Sequence, residues 1–163
     1  MDSSTIDTLR RLADQFVAAR QMHCRIATTD LSGEPRDAAQ AYRVQDDVAR
    51  ALRWFEQAPP QVWKSGAPNR DVEPIAAPVP ESLVHASPAS LPASRFHSIR
   101  IEAEIALRFS APVELARIGD PGYAWGEVIG EALVGIEIVD TRLADPNASA
   151  LLKLADFHQQ GVA

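Results

Sequence analysis

The apolar positions of this 163-residue protein repeat at a helical period in its first third and at a period of two in its last. Ile6, Leu9, Leu12, Ala13, Phe16 and Val17 recur every three or four residues, with Arg10, Arg11, Asp14 and Gln15 largely opposite. That spacing predicts an amphipathic helix, and Thr5 is placed to cap it. Residues 28–36 read as a loop. Ala38, Ala41, Tyr42, Gln45, Val48, Ala49 and Leu52 form a second stripe. A second helix is therefore expected from about Asp37 to Phe55, stopped by Pro59-Pro60. Gln61 to Lys64 suits a short strand ended by Ser65-Gly66. Most of the 12 prolines lie between Ala58 and Pro92. That segment is expected to be an extended or partly disordered connection, since proline excludes a long helix and a central strand.

Beyond Pro92 the pattern turns to strands. Ile99 to Phe109 reads as one, and 132–142 as a second. Between them, 113–118 and 125–132 suggest short helical pieces around the turn Gly119-Asp120-Pro121-Gly122. Leu151 to Phe157 is a short apolar segment, and the last residues approach a further strand. The predicted class is α+β, divided into an N-terminal α/β region with its proline-rich connection (1–92) and a β-region (93–163). Two long strands and a fragment leave an edge that proteins usually cover. The expectation is further sequence beyond Ala163, or a partner that completes the sheet.

Composition narrows the function classes. A net charge of −6 argues against nucleic-acid and anionic-membrane partners. A single cysteine, Cys24, suits a reducing compartment, and the N-terminus lacks a signal peptide's basic and apolar regions. No apolar run reaches the roughly 18–20 residues that span a bilayer. A cytoplasmic protein is expected.

The chemistry concentrates in the two strands. In Ile101-Glu102-Ala103-Glu104-Ile105, strand alternation turns Glu102 and Glu104 to the same side. Adjacent carboxylates repel, and a divalent cation would resolve the repulsion. Glu137 interrupts the second apolar run, Val134-Gly135-Ile136-Glu137-Ile138-Val139, where a buried unpaired glutamate would be costly. The three together suit Mg²⁺ or Mn²⁺ with positions open for a chelating substrate. The alternative is a solvated sheet face, with Glu102 and Glu104 paired to Arg100 or Arg108, and Glu137 to Arg142. Lys64, in Trp63-Lys64-Ser65-Gly66, is a candidate for proton transfer or an exposed lysine at a strand end. The four histidines have no zinc-motif spacing, and no phosphate-cradling glycine motif is present.

Four segments, in order and spacing, resemble the 2-keto-4-pentenoate hydratase and 4-oxalocrotonate decarboxylase branch of the fumarylacetoacetate hydrolase superfamily. They are Ala41-Tyr42-Arg43-Val44-Gln45, Trp63-Lys64-Ser65-Gly66, Ile101-Glu102-Ala103-Glu104-Ile105-Ala106 and Gly135-Ile136-Glu137-Ile138-Val139-Asp140-Thr141-Arg142. Leu154-Ala155-Asp156-Phe157 adds a weaker fifth. The resemblance implies a small N-terminal α/β region followed by a mixed β-roll. It implies Mg²⁺ or Mn²⁺ on Glu102, Glu104 and Glu137, and an active-site lysine at Lys64. It also implies a homo-oligomer and small 2-hydroxydienoic or 2-oxo acid substrates from aromatic-compound breakdown.

The sequence departs from the family in three places. Ala77 to Leu83 lacks the usual Asp-(Tyr/Phe)-Gly, and Phe157-His158-Gln159-Gln160-Gly161 stands where members carry an Asn/Ser-rich turn. Members are also longer, so the β-roll is expected to be incomplete, truncated at its C-terminal end. The function expected from the resemblance is a metal-dependent hydro-lyase adding water to a 2-hydroxy-2,4-dienoate to give a 4-hydroxy-2-oxo acid. The alternatives are a 2-oxo-enedioate decarboxylase on the same scaffold, or a noncatalytic protein that needs a partner.

Overall fold

The computed structural model describes residues 2–162. They form two compact units, one of residues 2–100 with 138–162 and the other of residues 101–137. The class is α+β, as the sequence predicts.

The larger unit is built on helices α1 (Ser3–Gln21) and α2 (Ala38–Ala51). Asp2, and not Thr5, caps α1. The helix begins two residues before Thr5, whose own N–H donates to Asp2 Oδ1 at 2.8 Å. Asp37 caps α2 in the same way, accepting from the Gln40 N–H at 2.8 Å. The helix α2 stops at Ala51 rather than Phe55 because Arg53 turns left-handed, with φ 60°. The Trp54 and Arg53 N–H groups then close back on the Ala49 and Arg50 carbonyls, a Schellman ending. The end of α1 turns through His23 with φ 49°.

Leu9, Leu12 and Phe16 of α1 pack with Val44 and Val48 of α2 in one core. The C-terminal segment enters the same core. Leu143, Phe157 and the residues Leu152 and Leu154 of α4 (Ala150–Ala155; α3 is given below) are all buried in it. Gln45 Nε2 donates to the Leu154 carbonyl at 2.6 Å, and Ile26 bridges to Leu143.

The proline-rich segment contains more structure than expected. Strand β1 (Val62–Gly66) pairs antiparallel with β2 (Ile75–Val79), Trp63 opposite Pro78. A two-stranded sheet consists only of edges, and there a proline's missing N–H is tolerated.

The smaller unit holds nearly all of β3 (Arg100–Phe109), the single turn α3 (Trp125–Val128) and most of β4 (Ile129–Val139). The helical piece expected over 125–132 is therefore half strand. β-Branched Val128 and Ile129, flanked by Gly126 and Gly130, favour extension. A β-carbon on Gly130 would lie 2.7 Å from Ser110 Cβ, so the close approach there requires glycine. The order in the three-stranded sheet is β3-β4-β5, where β5 (Gln160–Val162) pairs antiparallel with the end of β4. Ile101, Ile105, Leu107 and Phe109 of β3, with Val134 and Ile136 of β4, are exposed. No helix among the described residues is long and apolar enough to cross a membrane.

Candidate metal centre

Alternation along β3 separates Glu102 and Glu104 from Ile101, Ala103 and Ile105. The facing strand contributes the same side. Arg108 pairs with Glu131 at 2.5 Å, and a β-carbon on Gly135 would stand 3.9 Å from Glu104 Cβ. Glu137 follows Gly135 by two residues, so it also turns to that side. Carboxylate oxygens of Glu102, Glu104 and Glu137 lie within 4.8 Å of one another. Glu137 is buried, while Glu102 and Glu104 are exposed.

The arginines nearest Glu102 and Glu104 in sequence, and Arg142, have other partners. Arg108 pairs with Glu131, Arg142 with Asp156, and Arg100 with Gln159. The donor set fits a hard cation. All three side chains offer oxygens, and two oxygens opposite each other across Mg²⁺ stand about 4.2 Å apart, or about 4.6–5.2 Å across Ca²⁺.

Lys64 sits half-buried on β1 in the larger unit, and its Nζ donates to the His158 carbonyl at 3.2 Å. That carbonyl belongs to an unusual turn. Phe157, His158 and Gln159 are all left-handed, with φ of 54°, 52° and 60°. Such backbone costs roughly 1–2 kcal/mol per non-glycine residue and persists only where its surroundings enforce it.

The enforcement comes from Asp156, which is fully buried. Its Oδ1 accepts from Arg20 Nη2 at 2.9 Å and Arg142 Nε at 2.8 Å. Its Oδ2 accepts from Thr141 Oγ1 at 3.0 Å and the Arg142 N–H at 2.9 Å. The Arg20 guanidinium also lies over the rings of Trp54 and Phe157. Burial, and then the neighbouring Arg142, push the pKa of Arg20 down to about 9 against the pull of Asp156 and Asp140. It stays charged at neutral pH. Arg20 is the member of this ion-pair network that no local pattern reveals. It carries no motif, and its partner lies 136 residues away.

No family model matches this protein, and no curated protein matches it in sequence. Solved structures do. The 4-oxalocrotonate decarboxylase of Pseudomonas putida G7 complexed with magnesium and adipate superposes with a TM-score of 0.74 at 20% identity, covering 94% of this chain. The same enzyme complexed with calcium and acetate gives 0.69 at 21%, again over 94%. The present chain spans about 60% of the length of the decarboxylase it matches. At this identity the likeness establishes the fold alone, one shared with part of that decarboxylase.

Proposed function

We propose that this protein is the metal-binding portion of a divalent-cation-dependent enzyme of the fumarylacetoacetate hydrolase superfamily. On this reading it is a hydro-lyase that adds water to a 2-hydroxy-2,4-dienoate. The observation that carries the proposal is the convergence of three carboxylates from two strands within 4.8 Å. The fold shared with a decarboxylase solved with magnesium and with calcium supports it.

Glu102, Glu104 and Glu137 would hold Mg²⁺ or Mn²⁺. The cation, when bound, supplies Lewis-acid stabilisation of the negative charge that develops on the 2-oxygen. Lys64 moves a proton to or from the substrate carbon skeleton during ketonisation, its ammonium oriented by the His158 carbonyl. The same machinery serves decarboxylation of a 2-oxo-enedioate, the second reading, favoured by the activity named for the structural neighbour.

Incubation of the protein with Mg²⁺ and a 2-hydroxy-2,4-dienoate should consume the diene absorbance. With a 2-oxo-enedioate in its place, release of CO₂ would assign the decarboxylase instead. Lys64→Met should lower turnover about 100-fold or more, the usual range for a general acid–base group, with cation affinity unchanged. Absence of both turnover and cation binding overturns the enzyme reading.

We further propose that the protein works as a homo-oligomer, or completed by a partner, through the exposed apolar positions of β3 and β4. Light scattering that finds a monomer at tens of micromolar would refute self-association.

A further inference from the structure

The larger unit gathers charge of the opposite sign to the glutamates. A cavity of about 260 Å³ there is lined by Arg25, Ser98, Arg100, Asp145, Lys153 and Gln159, among others. Three cations against one carboxylate leave two positive charges in surplus, in a protein whose net charge is −6. Arg25 and Arg100 are exposed and Lys153 is half-buried, so a solute in the surrounding water can reach them.

No acid on the wall neutralises the surplus. The side chains of Arg25 and Lys153 form no hydrogen bond or ion pair among the described residues. Asp145 is committed elsewhere. Its Oδ1 accepts from the Asn147 N–H at 2.8 Å, and its Oδ2 from the Thr28 hydroxyl at 3.4 Å. Like charges gathered without a counter-charge repel, as the glutamates do, and a bound ion of opposite sign relieves the repulsion.

The neutral groups of the wall lean the same way. Arg100 Nη2 donates to Gln159 Oε1, which engages the amide's acceptor and leaves its NH₂ as a donor. The Ser98 hydroxyl adds another donor. The Thr141 hydroxyl takes no part, because it already donates to Asp156 and accepts from the Leu143 N–H. Ala144 and Pro146 supply apolar surface beside these groups.

A wall rich in N–H donors and poor in free acceptors suits an oxyanion. Guanidinium forks match the spacing of phosphate oxygens, and an ammonium adds a compact charge. A phosphate group carries about −1.5 to −2 at neutral pH, which answers two surplus charges better than a single carboxylate does. The volume falls just short of the roughly 300 Å³ at which drug-sized sites begin, so the ligand is small.

We propose that this cavity binds a phosphate dianion, free or as the head of a small monoester, through Arg25, Arg100 and Lys153. Every residue involved belongs to the larger unit, and none of the three glutamates takes part.

The test is isothermal titration of the full-length protein in EDTA, which removes any cation that could bridge phosphate to the glutamates. Inorganic phosphate, glycerol 3-phosphate and acetate are compared at one ionic strength, because salt screens exposed charges. Phosphate should bind, and acetate at least about 10-fold more weakly, the equivalent of about 1.4 kcal/mol. Tighter binding of glycerol 3-phosphate assigns a monoester; equal or weaker binding assigns free phosphate. Lys153→Gln and Arg25→Gln should each weaken phosphate binding about 10-fold. Neither should lower the melting temperature, since neither side chain has a partner to lose. Equal affinity for acetate overturns the dianion assignment. No binding at tens of millimolar, or an affinity unchanged in either folded variant, overturns the site. The two residues lie on separate elements, so if one variant fails to fold the other decides.

Discussion

Replacing Glu104 with glutamine should move cation affinity and cation-free stability in opposite directions. Glutamine keeps the shape and one oxygen and removes one charge. Carboxylate oxygens of the trio lie within 4.8 Å of one another, so Coulomb's law in water gives each pair a repulsion of about 0.9 kcal/mol or more. The water dielectric is appropriate because Glu102 and Glu104 are exposed. Glu104→Gln relieves two such pairs, about 1.7 kcal/mol, and screening at physiological salt reduces that to about 1 kcal/mol. The attraction between a carboxylate and a divalent cation about 2.1 Å away, in the same dielectric, is about 4 kcal/mol. The repulsion is present with and without the ion and so cancels from the affinity, and the lost attraction of about 4 kcal/mol corresponds to about a 700-fold weaker Kd. Dehydration of the ion largely cancels, since both side chains offer an oxygen.

Isothermal titration with Mn²⁺ gives the affinity, and urea unfolding in EDTA gives the stability. The expected pair of results is a Kd raised about 700-fold and a cation-free protein stabilised by about 1 kcal/mol. A solvated face that holds no ion predicts the stabilisation without the affinity change. A Kd altered less than about 3-fold therefore refutes the metal reading, and a destabilised cation-free variant refutes the electrostatic argument beneath it.

Two further substitutions probe the larger unit. A β-carbon on Gly161 would overlap the Ile138 carbonyl oxygen and fall 3.2 Å from the Asp140 nitrogen, both backbone atoms. Gly161→Ala should cost about 2–3 kcal/mol or more in urea unfolding, and a loss below about 0.5 kcal/mol would contradict the strand pairing. Folding lowers the pKa of His97 below its ordinary 6.5, first by desolvation, against the pull of Asp140. The unfolded state thus binds more protons between the two values. Stability contributed by neutral His97 is full above pH 6.5 and is lost as the pH falls below it toward the folded value. His97→Gln should flatten the stability profile over that interval; an unchanged slope would assign the pH dependence to other groups.

The glutamate trio was legible in the sequence because strand parity is a local rule. Two residues fix which side Glu102 and Glu104 share, and Glu137 stood out against an apolar strand. Helices α1 and α2 were legible for the same reason, although the cap and the end of each depend on a single backbone turn. What stayed hidden depends on distant pairing. Asp156 joins Arg20 and Arg142 because residues 138–162 return to the core of α1 and α2. No local pattern encodes that return. Strand β2 was masked by Pro78, which excludes a central position and is acceptable in a two-stranded sheet. The left-handed turn at Phe157 to Gln159 contradicts local propensity outright, and buried contacts of Asp156 hold it in place.

The unit that carries the glutamates has little else to hold it. Among residues 101–137 only Tyr123 and Glu137 are buried, and every residue of β3 is exposed. The carboxylate cluster is thus unevenly ordered, with Glu137 in a buried position and Glu102 and Glu104 exposed. Ordering two glutamates costs up to about 1.5–2 kcal/mol each, which offsets much of the electrostatic gain. On the proposed reading the ion therefore has a structural part as well as a chemical one. Drawing Glu102 and Glu104 toward Glu137 ties β3 to β4. By mass action an ion present at about 100 times its Kd adds about 2.7 kcal/mol, an appreciable share of the stability available to so small a sheet.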